Sequence, residues 1–157
     1  MLFCFMQLPR IYQNYLSSSG ISTDTRSLKK GDLFFALHGE KFNGNQFAEK
    51  AILLGAIKVI VDDQKLASLS PIVIVVKDTL KTLQELATFH RTKLKTPIIA
   101  ITGSNGKTTT KELVREVLAQ KYSVLATEGN LNNHIGVPLT LLKLKEHHEL
   151  AIIEMGA

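Results

Sequence analysis

The stretch TPIIAITGSNGKTTT, residues 96–110, decides the fold of this chain. Residues 98–101 are an apolar run typical of a buried β-strand, and a turn with two glycines follows it. Gly103 and Gly106 allow backbone dihedral angles that a Cβ atom disfavours, and a helical pattern begins after the Lys-Thr pair at 107–108. A strand, a glycine turn and a helix N-terminus in this order direct backbone N–H groups and the helix dipole at one point. The stretch therefore predicts a phosphate-binding loop.

The glycine spacing of this loop departs from the general P-loop pattern. That pattern has a glycine five residues before the glycine of Gly-Lys-Thr, and Ile101 stands there instead. The glycine that precedes Gly106 is Gly103. A chance Gly-Lys-Thr is the alternative, but the strand, turn and helix contexts agree with a phosphate loop. We therefore expect Lys107 to reach the β- and γ-phosphates of a nucleotide and the Thr108 hydroxyl to hold Mg²⁺.

Composition limits the classes of partner. The 157 residues suffice for one domain, or for a small domain and part of another. The 19 basic residues exceed the 14 acidic ones, which gives a formal net charge of +5, but they are scattered, so we expect no nucleic-acid partner. A single cysteine, Cys4, indicates a reducing compartment and a cytoplasmic location. The apolar run at residues 1–6 is too short to span a bilayer, so we expect no membrane insertion.

Alternating strand and helix patterns predict an α/β fold with parallel sheets. Strand patterns lie at residues 33–37, 57–61, 71–76, 98–101, 123–127 and 150–153. Helical patterns lie at residues 1–17, 47–54, 78–94, 110–118 and 138–144. The segment Lys95-Thr96-Pro97 marks a domain junction, which predicts one domain at 1–95 and the beginning of a second at 96–157. His90 lies on the apolar stripe of its helix and is interpreted as a packed histidine.

Polar residues follow several of these strands. Ligands of parallel sheets bind beyond the carboxyl ends of the strands, where both the phosphate loop and Glu154 are expected. We therefore predict that Glu154 is a direct or water-mediated Mg²⁺ ligand; the alternative is a glutamate that leaves the strand for solvent. The polar loop at 128–134 is either part of a polar ligand site or a surface loop. By composition alone, residues 24–26 favour a solvated loop.

Residues 102–109 resemble the short phosphate loop of the Mur ligases, the ATP-dependent amide-forming enzymes of peptidoglycan precursor synthesis. Other segments similar to motifs of that family are NLNN at 130–133, IGVP at 135–138, EMGA at 154–157, DTR at 24–26 and GDLFFAL at 31–37. The resemblance implies an N-terminal UDP-substrate domain at 1–95, followed by a P-loop-type ATP-binding domain that begins at 96. It also reverses the interpretation of residues 24–26 as a solvated loop.

The resemblance implies a reaction as well. ATP would phosphorylate the terminal carboxylate of UDP-N-acetylmuramoyl-tripeptide, and the amine of D-alanyl-D-alanine would attack the acyl phosphate. Lys107, Thr108 and Glu154 would be the catalytic residues, and the last two would hold Mg²⁺. The implied ATP-binding residues are Thr102, Gly103, Ser104, Asn105, Gly106, Lys107, Thr108 and Thr109. The implied UDP-sugar contacts are Thr25, Arg26, Asn43 and Gly44.

Mur ligases have three domains, and residues 96–157 correspond to the first part of the central one. We therefore expect a fragment that lacks the C-terminal domain and ligase turnover, whose full-length form is a monomer. We also expect residues 1–95 to fold more stably than the remainder. The alternatives are a ligase that adds the third residue, a folate-polyglutamate or cyanophycin type, a nucleotide or UDP-sugar binding module without chemistry, and a P-loop NTPase regulator. Residues 24–26 favour a UDP-muramoyl substrate over folate.

Overall fold

The computed structural model describes residues 2–39 and 42–156, with side chains from residue 7 onward. Met1 and Ala157, which the sequence patterns place in the first helix and in the last family motif, lie outside these ranges, as do residues 40 and 41. The helices are α1 (Leu2–Leu16), α2 (Ala48–Leu53), α3 (Thr79–Lys93), α4 (Lys107–Leu118) and α5 (Gly136–Leu141). The strands are β1 (Ile21–Ser22), β2 (Leu33–Phe35), β3 (His38–Gly39), β4 (Phe42–Asn43), β5 (Lys58–Val61), β6 (Val73–Val75), β7 (Ile98–Ile101), β8 (Val124–Ala126) and β9 (Leu150–Glu154). Among the described residues, no helix combines the length and apolarity needed to cross a bilayer.

The chain divides into two compact units, residues 1–86 and 87–157. This division falls within α3, earlier than the junction that the sequence places at residues 95–97. The limits of the two domains stay a prediction.

The first unit is built on a parallel sheet with the strand order β1-β2-β5-β6. Phe34 of β2 lies opposite Ser22 on one side and Val59 on the other. All three residues of β2 are buried, as expected for an apolar strand in a sheet covered on both faces. The sequence analysis missed β1 because a strand of two residues shows no periodicity. β3 and β4 form a separate antiparallel hairpin.

Small side chains bring α2 close to this sheet. Ala48 and Ala51 are buried in one cluster with Phe34 and Val61. Because an alanine side chain has a single carbon, the backbone of α2 can pack close to the strands. The helix packs on the sheet in this way although it is only 6 residues long.

The second unit contains a parallel sheet with the strand order β7-β9-β8. Central β9 places Glu154 opposite Ile101 of β7 and Ile152 opposite Ala126 of β8. Ile153 packs in a buried cluster beneath the sheet. The α/β fold with parallel sheets is therefore confirmed, and the end of β9 lies beside the start of the glycine loop.

The orientation of α4 differs from the expectation for an amphipathic helix. An amphipathic helix turns its apolar residues toward the core, but Leu113 and Val117 are 64% and 71% exposed, while Val114 and Leu118 are half-buried. The side chain that is fully buried is that of Lys111, at 0% exposure. The helix contacts its sheet through the face that carries Lys111 and the half-buried Val114 and Leu118, and the Lys111 ammonium finds polar partners at the strand ends.

His90 is buried near the end of α3, and its Nε2 atom lies 2.9 Å from the carbonyl oxygen of Leu144. A carbonyl oxygen only accepts, so Nε2 carries the ring proton. Burial lowers the pKa of His90, and the charge of Lys145 lowers it further, against the effect of the hydrogen bond. The interpretation of His90 as a packed histidine is confirmed.

Candidate functional site

Two glycines shape the loop between β7 and α4. Gly103 has φ = 138°, and Gly106, the residue before α4, has φ = 77°. L-residues with side chains rarely adopt these angles, so the loop conformation depends on both glycines. Apart from each glycine and its two chain neighbours, no atom of the described residues lies within 4 Å of the position that a Cβ would take at either glycine. Space is therefore open above the helix N-terminus, which is the geometry expected of an anion-binding loop.

The other predicted ATP contacts lie on the same loop and on the first turn of α4. Thr102, Ser104 and Asn105 belong to the loop that follows β7, at the carboxyl edge of the sheet where parallel-sheet ligands bind, and Thr108 and Thr109 belong to α4. The exposed residues of this set are Thr102, Ser104, Asn105, Thr108 and Thr109.

Lys107 is the first residue of α4 and is half-buried. Its ammonium donates a 2.5 Å hydrogen bond back to the carbonyl oxygen of Gly103. The side chain therefore folds over the loop rather than away from it, and its charge adds to the positive end of the helix dipole.

Thr108 and Glu154 lie next to each other, although 46 residues separate them in the chain. The Thr108 hydroxyl lies 3.3 Å from Oε1 of Glu154, to which it donates a hydrogen bond. Glu154 is 1% exposed, so its side chain does not leave the strand for solvent. The two predicted metal ligands are thus in contact at one edge of the sheet.

The polar loop at 128–134 divides into parts with different roles. Asn132 donates a 2.7 Å hydrogen bond to Oε1 of Glu154, and its carbonyl accepts a 2.6 Å bond from the Gly156 amide. The side chain of Asn133 accepts from the amides of Ile135 and Gly136 at 3.0 and 2.8 Å. Asn133 thus fixes the turn that leads into α5, which begins at Gly136, two residues before the proline where the sequence pattern placed its start. Asn130 and His134 are exposed.

The sequence analysis missed Lys111 and Thr127. The Lys111 ammonium donates a 2.6 Å hydrogen bond to the Thr127 carbonyl and lies 3.8 Å from Oε2 of Glu154. The hydroxyl of Thr127 accepts a 2.9 Å bond from the amide of Glu154. The available signal was position: Lys111 follows Thr108 by one helical turn and therefore lies on the same face of α4.

The oxygen atoms of this site suit Mg²⁺. Oε2 of Glu154 is buried and has no hydrogen-bond partner in the described part of the chain. Mg²⁺ in nucleotide sites takes one or two carboxylates together with phosphate and water oxygens, so Glu154 and the Thr108 hydroxyl fit this use. The described residues contain no group of three or more histidine, cysteine or acidic side chains that could hold a metal.

Residues 24–26 form a compact charged turn in the first unit. Asp24 accepts the Arg26 backbone amide at 2.9 Å, and its carboxylate pairs with the Arg26 guanidinium at 2.5 Å. These hydrogen bonds lower the pKa of Asp24 to about 2. The Arg26 side chain is 86% exposed, whereas Thr25 is buried. Of the two predicted UDP-sugar contacts here, Arg26 is the more accessible.

Asn43 and Gly44 have local structural roles. The Asn43 side chain accepts a 2.9 Å hydrogen bond from the Asn45 amide and caps a short 3₁₀ helix. A Cβ at Gly44 would lie 2.5 Å from the carbonyl oxygen of Leu37, so only glycine fits against this backbone. In the described residues, no hydrogen bond joins Asn43 or Gly44 to Thr25 or Arg26. The structure therefore brings the ATP-loop residues together but does not link the two pairs assigned to the UDP-sugar.

A second polar cluster supports the segment that carries Asn43 and Gly44. The Asn45 side chain donates a 2.9 Å bond to Oδ1 of Asp62, which lies 3.2 Å from Nε2 of His38. The Thr79 hydroxyl lies within hydrogen-bond distance of the other Asp62 oxygen, at 3.2 Å. Asp62 follows β5 and Thr79 begins α3, so this cluster marks the carboxyl edge of the first sheet.

Family models for two Mur ligase domains match this chain. The model described as "Mur ligase family, catalytic domain" matches residues 17–91, and the one described as "Mur ligase middle domain" matches residues 101–157. The chain belongs to the Mur ligase family, as the short glycine loop indicates.

Its relatives within the family include ligases named for D-alanyl-D-alanine. The UDP-N-acetylmuramoyl-tripeptide–D-alanyl-D-alanine ligase of Bacillus subtilis is 46% identical over 138 residues, which are 87% of this chain and 30% of the relative. The structure of the Acinetobacter baumannii UDP-N-acetylmuramoylalanyl-D-glutamyl-2,6-diaminopimelate–D-alanyl-D-alanyl ligase is 39% identical with a TM-score of 0.82, and the match covers 89% of this chain and 31% of that one. The MurF ligase of Thermotoga maritima, in complex with ADP, is 31% identical with a TM-score of 0.80, covering 91% and 33%. The chain thus spans about a third of the length of these relatives.

Proposed function

We propose that this chain supplies the ATP-binding loop and the UDP-substrate domain of a UDP-N-acetylmuramoyl-tripeptide–D-alanyl-D-alanine ligase (MurF). One observation carries the proposal: the Thr108 hydroxyl and the Glu154 carboxylate, predicted as Mg²⁺ ligands, lie 3.3 Å apart beside the glycine loop. The relatives that match most of the chain bear the name of this ligase. A single cysteine is consistent with a cytoplasmic location for it.

The residues of the loop would bind and orient the nucleotide. Gly103 and Gly106 open the backbone so that amides at the start of α4 face the phosphates, and Lys107 places its ammonium over the same point. ATP would supply the phosphoryl group that activates the substrate carboxylate, and Mg²⁺ would neutralise phosphate charge. Glu154 and Thr108 would hold the metal, and Asn132 would keep the Glu154 carboxylate oriented.

The first unit would bind the UDP-muramoyl substrate. The accessible guanidinium of Arg26, rigidly paired with Asp24, suits a phosphate or a carboxylate on that substrate. The buried Thr25 would support the turn that carries Arg26. Asn43 and Gly44 would fix the backbone of their own segment. Residues 1–95 and 96–157 are the proposed limits of the two domains.

Calorimetric titration of the chain with ADP, with and without Mg²⁺, tests the proposed function. Mg²⁺ should strengthen ADP binding, and Lys107→Ala should weaken it by at least about tenfold, because an ion contact to phosphate is removed. Lys121→Ala, an exposed lysine beyond α4, is the matched control and should bind ADP like the unaltered chain. Binding of UDP-N-acetylmuramoyl-tripeptide should be the same in both variants. Equal ADP affinity in the Lys107→Ala variant and the unaltered chain would contradict the proposal.

A further inference from the structure

Lys111 is a charged side chain in a position where an apolar one would be expected. It is 0% exposed, whereas Leu113 and Val117 of the same helix face solvent. Burial of an ammonium group costs several kcal/mol unless partners compensate for the lost water. The orientation of α4 therefore depends on the groups that Lys111 meets.

Three groups surround the Lys111 ammonium. It donates to the carbonyl oxygen of Thr127 at 2.6 Å and pairs with the half-exposed Glu112 carboxylate at 3.0 Å. The third group is the buried Oε2 atom of Glu154, at 3.8 Å. Because Thr127 also accepts the backbone amide of Glu154, Lys111 and Glu154 share one anchor at the end of β8.

The two oxygens of Glu154 differ in their contacts. Oε1 accepts hydrogen bonds from Thr108 and Asn132, which fix the plane of the carboxylate. Oε2 has no hydrogen-bond partner among the residues that the structure describes, and its distance of 3.8 Å from Lys111 is longer than a hydrogen bond. Lys111 thus compensates the buried negative charge without occupying the lone pairs of Oε2.

We propose that Lys111 is a positioning residue that holds the Glu154 carboxylate in place with Oε2 open to accept Mg²⁺. This inference rests on the proposed function, in which Glu154 and Thr108 hold the metal of a bound nucleotide. Lys111 itself touches neither the metal nor the nucleotide. It acts through Glu154 and through Thr127, whose carbonyl oxygen accepts from Lys111 and whose hydroxyl accepts from the Glu154 amide.

The test is a Mg²⁺ titration of the 157-residue chain at fixed ADP, followed by calorimetry. Lys111→Met, which keeps the length of the side chain and removes its charge, should raise the Mg²⁺ midpoint about 10- to 100-fold, the effect typical of groups that orient metal ligands. ADP binding in the presence of a chelator should be unchanged, since Lys111 lies away from the loop surface. Glu112→Gln is the matched control. It removes the exposed partner of Lys111 and should shift the midpoint by less than about threefold.

A double-mutant cycle separates action through Glu154 from general disruption. In a Glu154→Gln background, Lys111→Met should raise the Mg²⁺ midpoint by less than about twofold, because the residue through which Lys111 acts is already altered. An unchanged Mg²⁺ midpoint in Lys111→Met, or an equal shift in both backgrounds, overturns the inference.

If Lys111→Met does not fold, Lys111→Gln, which can still donate to the Thr127 carbonyl, takes its place. Failure of both variants to fold assigns Lys111 a purely structural role and also overturns the inference. Absence of Mg²⁺-dependent ADP binding in the unaltered chain contradicts the proposed function instead.

Discussion

The side-chain amide of Asn132 donates a hydrogen bond to Oε1 of Glu154 at 2.7 Å, across 22 residues of the chain. Asn132→Ala removes the donor and leaves a buried carboxylate with one partner fewer. Hydrogen bonds to charged groups contribute about 1.5–3 kcal/mol, so we expect the free energy of unfolding to fall by that amount. Urea unfolding of the chain in the presence of a chelator measures it. Asn130→Ala, in the exposed part of the same loop, is the control and should have no effect; equal stability of the two variants would contradict the prediction.

Gly136 lies against the backbone of Leu131, and a Cβ there would be 2.4 Å from the Leu131 carbonyl carbon. Gly136→Ala forces the start of α5 away from the loop and should cost at least about 1–3 kcal/mol in the free energy of unfolding. No atom lies within 4 Å of a Cβ at Gly39, so Gly39→Ala should change the stability by less than about 0.5 kcal/mol. Thermal unfolding compares the stabilities of the two variants. A Gly136→Ala variant as stable as the unaltered chain would contradict the prediction and show that this contact can relax.

The exposed face of α4 predicts an unusual tolerance of polar substitution. Leu113 is 64% exposed, so Leu113→Gln should change the free energy of unfolding by less than about 0.5 kcal/mol. Leu144, which is 0% exposed, provides the contrast: Leu144→Ala should cost about 2–5 kcal/mol. Denaturant unfolding of the two variants measures both changes in the free energy of unfolding. A large loss in Leu113→Gln would mean that this face is covered in solution.

Asp24 should titrate well below an ordinary aspartate. Hydrogen bonds from Arg26 lower its pKa from 3.8 to about 2. The folded-state pKa is the lower one, so the pair's contribution to stability is present above pH 3.8 and is lost as the pH falls through about 2. The carboxyl carbon resonance of Asp24, followed by NMR against pH, reports the midpoint. Arg26→Gln should move this midpoint up toward the ordinary value, and a midpoint near 3.8 in the unaltered chain would refute the pairing.

His90 should make the second unit less stable in acid. Burial lowers its pKa below 6.5, so the folded state disfavours the protonated ring. Its contribution to stability is present above pH 6.5 and decreases as the pH falls through the lower folded-state pKa. Urea unfolding at about pH 7.5 and about pH 5.5 measures the difference in the free energy of unfolding between these pH values. His90→Gln should reduce this difference. His134→Gln, at an exposed position, should leave the difference as it is. An unreduced difference in His90→Gln would contradict the prediction.

The sequence predicted the elements whose signals are local. The apolar runs located β5, β7 and β9, and the glycines located the turn before α4. The position of Glu154 at a strand end placed it near the phosphate loop, because parallel strands end at a common edge. The contact between Thr108 and Glu154 agrees with that reasoning, while their roles as metal ligands stay predictions.

The features that the sequence did not predict depend on distant contacts. β1 is too short for a pattern and exists because β2 pairs with it. The burial of Lys111 depends on Thr127 and Glu154, which come from two later strands. The apolar pattern of α4 indicated a helix correctly but not which face the sheet covers, because periodicity carries no information about polar partners across the fold.

β7 pairs only with β9 among the described residues, so its other edge exposes unpaired backbone groups along residues 98–101. A strand of four consecutive apolar residues with an open edge is a template for self-association through strand addition. Pro97 stands directly before it and has no N–H group to donate, so it limits how far an added strand could extend. We therefore expect the strand that leads into the phosphate loop to be one edge at which copies of this chain can associate in solution.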